Sequence, residues 1–152
     1  MASPETIFFD ALYAKLIADL VLETPLLGMA QIECNSERNI KSDTLPVMNL
    51  IWDSISAEDL GTYNEKAILT EFSLSIEVYD RLGEEPERIM LGHVDTVCNW
   101  LAVNIGGLTI PGTFAPTLLF GDISMESVRG ERERKVVIPF TVSCVKQLAT
   151  RR

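Results

Sequence analysis

Between Glu71 and Val78 the chain alternates without a break, with Phe72, Leu74, Ile76 and Val78 interleaved with Glu71, Ser73, Ser75 and Glu77. A period of two places all four apolar side chains on one side of an extended strand, a pattern that no helix can use. It predicts a sheet with one face in the core and the other in water. An apolar face of that kind has to be covered, and two amphipathic segments can supply the cover. In the first, Ser3 caps, Pro4 suits the first helical position and Glu5 adds favourable charge near the positive end. Phe9, Leu12, Tyr13, Leu16 and Leu20 then recur at helical spacing, and Pro25 with Gly28 stops the run. In the second, Glu84, Glu85, Pro86 and Glu87 open a helix whose apolar face carries Met90, Val94, Val97 and Leu101. Asn104 and Gly106-Gly107 end it.

Three further strands are expected. Leu45-Pro46 opens one that runs through Val47, Asn49, Ile51 and Trp52, since proline is tolerated at a strand's first residues. The others span about residues 117–128 and 134–145, joined by the charged turn Arg129-Gly130-Glu131-Arg132-Glu133. In the last strand Val136, Ile138, Phe140, Val142 and Cys144 point one way. Residues 30–44 and Ser56 to Glu65 read as loops, Leu82-Gly83 as a break, and residues 106–116 as an apolar Gly- and Pro-containing loop. The expected fold is α+β, a single domain over residues 1–152 in the order α-β-β-α-β-β, with a mostly antiparallel sheet and helices packed on it.

Composition narrows the function. Hydrophobic residues make up 47% of 152, which excludes a disordered chain. No apolar run approaches the roughly 20 residues that cross a bilayer, and the N-terminus lacks the basic start of a secretory signal, so no membrane role is expected. Acidic residues outnumber basic ones 22 to 13, and a net charge of −9 opposes non-specific binding to nucleic acid or anionic lipid. Cys34, Cys98 and Cys144 are too far apart for metal or redox spacing, with Cys34 in a polar loop.

Gly92-His93-Val94-Asp95-Thr96-Val97 resembles a stretch of the zinc-dependent aminoacylase and carboxypeptidase family, in which the His binds metal and the Asp orients it. That family's two-metal site needs a second histidine, and His93 is the only one here. The match also falls in a helical pattern, so His93 reads as a boundary residue beside Met90, Val94 and Val97. Nucleophilic catalysis would need a positioned base that His93 alone does not supply. Gly106, Gly107 and Gly112 lack phosphate-loop spacing. No catalytic, metal-binding or cofactor-binding residues are expected, no cofactor and no enzyme activity.

Two segments read as contact surfaces. Leu108, Ile110 and Phe114, in the irregular loop, form either a flap over the core or a patch for a neighbour. Arg129, Glu131, Arg132 and Arg134, in the mixed-sign run Val128 to Lys135, form a solvated hairpin tip or an intersubunit salt-bridge surface.

The capped first helix, the Leu45-Pro46 strand opening, the alternating strand Glu71 to Tyr79, the helix start at Glu85-Pro86 and the hairpin around Gly130 together resemble the tail terminator and head–tail joining (neck) proteins of tailed bacteriophages. The resemblance spans about Ser3 to Val145. It implies a structural virion protein assembled in the host cytoplasm. Such a protein forms a ring, usually a homohexamer, that caps the tail tube and joins it to the head connector or neck protein. It also implies that DNA passes through the lumen without specific binding, which acidic walls favour. The alternative from the residues is a cytoplasmic α+β module that binds a small ligand or regulates.

Overall fold

The computed structural model describes residues 4–21, 31–34, 46–59, 67–81, 86–108, 116–128 and 133–147. Helix α1 (Pro4–Leu16) widens into one π-helical turn at Ile17–Val21. Strands β1 (Gln31–Cys34), β2 (Val47–Asp59) and β3 (Ala67–Arg81) follow, then α2 (Pro86–Asn104) and a 3-10 turn at Ile105–Gly107. Strands β4 (Thr117–Phe120), β5 (Ser124–Val128) and β6 (Glu133–Gln147) complete the described chain. The sheet order is β1-β2-β3-β6-β4, with β5 also on β6. All pairs are antiparallel except β1 with β2. The long elements follow the expected α-β-β-α-β-β order.

The alternating strand takes the central role. Phe72, Leu74, Ile76 and Val78 are buried and sit opposite Val142, Phe140, Ile138 and Val136 of β6. On the other side Met48, Leu50 and Trp52 face Val78, Ile76 and Leu74. Both helices close this face. Phe8, Leu12 and Leu16 from α1 and Met90, Val97, Trp100 and Leu101 from α2 join the same core. Phe8 stacks at 5.6 Å on Phe72, which also meets Trp52 at 5.4 Å. A Phe or Leu buried in this way contributes about 1.5–3 kcal/mol. The helices are tied together where Trp100 Nε1 donates to Asp19 Oδ2 at 3.1 Å.

Several boundaries differ from the expectation. Within residues 30–44, Gln31–Cys34 form a strand, with Ile32 opposite Met48, and Tyr13 donates its hydroxyl to the Ile32 carbonyl. Four residues are too few for alternation to register, and the partner strand supplies what the side chains do not. Strand β2 continues to Asp59, past the expected loop start at Ser56, because its backbone pairs with β3 as far as Ile68. The most deeply buried stripe of α1 is Phe8, Leu12 and Leu16, with Phe9 and Tyr13 on its flank. The stop at Pro25 and Gly28, the break at Leu82-Gly83, residues 35–44 and 60–65, and the turn from Arg129 to Arg132 lie outside the described residues.

The strand expected over 117–128 is two strands. Phe120 pairs with Phe140 and Ser124 with Val137, so three residues (121–123) stand against two on β6. Pro139 is one of the two. It has no N–H, so regular pairing with β4 and β5 has to break there, and its carbonyl accepts the Gly121 N–H at 2.8 Å. A Cβ on residue 121 would lie 3.1 Å from Pro139 Cγ, which explains the glycine.

Candidate interaction surface

The sheet face opposite the helices was expected to lie in water; Ile51, Glu71 and Ser73 are partly exposed there, but part of the face is closed. Val47 is fully buried there, Asn49 is 4% exposed and Ser75 is 5% exposed. Glu77 and Lys135 are both largely enclosed, and they meet at 3.2 Å. Lys135 Nζ also reaches Glu126 at 3.4 Å and lies 5.8 Å from the centre of the Tyr79 ring. Tyr79 donates its hydroxyl to Glu77 Oε1 at 3.1 Å, and Asn49 Nδ2 donates to the same oxygen at 3.5 Å. One polar ladder thus crosses β2, β3, β6 and β5. Its cause is register, since Tyr79 sits opposite both Val47 and Lys135, and Lys135 sits opposite Glu126.

The ladder shifts the protonation of its members. Burial, and then the Glu77 charge, push the Tyr79 phenol up to about 12, against the pull of Lys135. For Lys135 burial works to lower the ammonium. The hydrogen bond and charge of Glu77, with help from Tyr79 and Glu126, outweigh it and raise the group above its ordinary value. The donors and acceptors named here bond one another, so the ladder is a structural bracing of the sheet.

Of the mixed-sign run, the described residues at its end sit in the sheet. Lys135 is drawn into β6 and braced inside the chain. Arg134 is half-buried on β6, opposite Asp80 and Ser127. Leu108 follows the 3-10 turn, bonds its N–H to the Ile105 carbonyl at 3.1 Å and packs partly against the core. Ile110, Phe114, Arg129, Glu131 and Arg132 lie outside the described residues.

His93 is buried inside α2, deeper than a boundary residue, and its Nε2 lies 2.7 Å from Asp80 Oδ2. No second histidine and no cluster of three or more metal-ligating side chains occurs among the described residues. Cys98 is half-buried, and burial together with the Asp95 charge holds its thiol above the ordinary value. Cys144 is a buried free thiol, and Cys34 ends β1 rather than lying in a loop.

Sequence reasoning missed an apolar knob at the sheet margin. Leu119 (64% exposed), Phe120 and Ile123 flank the break opposite Pro139 and are all exposed. The break turns the chain at the point where strand alternation would have hidden every second side chain. The only signal was Pro139 itself. No helix of the described chain is long and apolar enough to cross a membrane.

No family model matches this chain. No curated protein matches it either. Among solved structures, it is similar to a chain of the virion of a native gene transfer agent particle. The likeness has a TM-score of 0.50 at 15% identity and covers 88% of this chain and 91% of that one. At that identity the two chains share a fold, over nearly the whole length of each.

Proposed function

We propose that this protein is a structural, non-enzymatic component of a phage-like particle, acting as a tail-terminator or neck subunit. The carrying observation is the fold shared, over 88% of this chain, with a chain of a gene transfer agent virion. In this reading several copies, six in the expected ring, close on the end of the tail tube and present their other side to the head connector. Closure needs a head-to-tail contact in which one patch docks on a different patch of the next copy. The knob at Leu119, Phe120 and Ile123 supplies exposed apolar surface for it. The loop with Leu108, Ile110 and Phe114 and the hairpin with Arg129, Glu131, Arg132 and Arg134 are the other proposed contacts. A charge of −9 per copy suits a lumen through which DNA passes without sticking.

The test is to delete the gene from cells that produce the particles and to image the products by electron microscopy. Heads and tails that fail to join, restored by the gene in trans, support the reading. Intact joined particles without this protein overturn it.

A further inference from the structure

The outward side of α2 is unlike the rest of this acidic surface. From Ile89 to Asn104 its one acidic or basic side chain besides the buried His93 is Asp95. Leu91 is 55% exposed, and Gly92 beside it is exposed too. A Cβ added at Gly92 would meet nothing within 4 Å among the described residues. Packing within the chain therefore gives no reason for a glycine in the middle of a 19-residue helix, where it weakens the helix relative to alanine. A missing side chain at that point lets another backbone approach closely.

The charges nearby identify that backbone. Arg88 and Asp95 are both exposed and lie seven residues apart, so they share the outward crest of the helix. Their midpoint falls between Leu91 and Gly92. Two copies of α2 laid antiparallel about a two-fold axis through that midpoint bring Arg88 of each opposite Asp95 of the other. The same axis sets Leu91 of each copy against Gly92 of the other, where the missing side chain leaves room for it, and holds the two Gly92 residues within about 1.5 Å of each other along the helix.

We propose that the outer face of α2, centred on Gly92, pairs two copies of this chain in an antiparallel, two-fold contact with reciprocal Arg88–Asp95 ion pairs. A contact of this kind is self-complementary by symmetry. At −9 per chain, copies repel over most of their surface, and a face whose charges cancel pairwise is where they can meet. The contact is separate from the head-to-tail docking that closes a ring, and it does not rest on the virion reading.

The test is disulfide trapping in the full chain, with each variant first shown to be folded by circular dichroism. Gly92→Cys, purified reduced and then oxidised with diamide, should form a covalent homodimer faster than the wild-type chain. Asn99→Cys should not, because the two-fold axis would hold its copies about 22 Å apart along the helix at 1.5 Å per residue. In the Gly92→Cys background, Arg88→Asp and Asp95→Arg should each slow trapping, on the order of tenfold, by opposing like charges. The double exchange should restore it. Equal trapping at positions 92 and 99, no trapping at 92, or a double exchange that restores nothing would each overturn the proposal. So would trapping of Gly92→Cys in a cell extract to a different protein in place of itself.

Discussion

His93 Nε2 and Asp80 Oδ2 are 2.7 Å apart, so the sole histidine of the chain fastens the middle of α2 to the end of β3. The histidine of the aminoacylase-like stretch thus holds a helix to a sheet, through an aspartate outside that stretch. Removing either partner takes this bond from a largely enclosed side chain. His93→Ala and Asp80→Ala should each destabilise the fold by about 1–3 kcal/mol. Urea denaturation at neutral pH measures both, and the double variant should lose less than the sum of the singles. Strict additivity would mean that the two side chains do not act together.

On β3, Ile76 and Glu77 face opposite sides, yet both side chains are largely enclosed. Ile76→Ala opens a cavity in the helix-covered core and should cost about 2–5 kcal/mol. Glu77→Ala unbraces Lys135, Tyr79 and Asn49 and should cost about 1–2 kcal/mol, where a solvent-facing glutamate would be neutral. A neutral Glu77→Ala in the same denaturation series would put the ladder in water.

The ladder also sets an alkaline limit. Tyr79 has its folded value raised to about 12 from the ordinary value of about 10, so between these the unfolded chain releases its proton first. Stability is therefore unaffected below about pH 10 and falls as pH rises towards 12. Lys135, also raised, loses its contribution in the same direction. Ultraviolet titration of phenolate should show one tyrosine ionising late. Glu77→Gln, by removing a neighbouring negative charge, should bring it earlier.

Gly121 and Pro139 form a fitted pair at the break between β4 and β5. Gly121→Ala pushes a methyl against the Pro139 ring and should cost about 1–3 kcal/mol. In a Pro139→Ala background the ring atom nearest the new methyl is gone, and the same change should cost less. Equal penalties in the two backgrounds would show that the ring is not what excludes a side chain there.

Phe114, in the segment that the sequence alone reads as an apolar loop, is the proposed aromatic anchor of the assembled state. Phe114→Asp should leave the circular dichroism spectrum of the chain unchanged while light scattering and tail-tube co-sedimentation both fall. An unfolded variant would place Phe114 in the core. A folded variant that assembles normally would move the contact to the knob at Leu119–Ile123 or to the hairpin that begins at Arg129.

Local periodicity alone determined the framework. Phe72 to Val78 and Val136 to Cys144 carry a period of two, and Met90, Val97 and Leu101 the helical one, so element type, order and the helix-covered face were legible. Each such signal is a property of one segment. The remaining features belong to pairs of segments. Gln31–Cys34 is a strand because β2 lies beside it, and Lys135 is enclosed because register sets it beside Glu77 and Glu126. His93 is bonded because α2 crosses Asp80, and the strand before Val128 breaks because Pro139 faces it. Hydrogen-bond register and close approach are decided only when distant parts of the chain meet. An alternating glutamate looks the same in the sequence whether its neighbour across the sheet is water or a lysine.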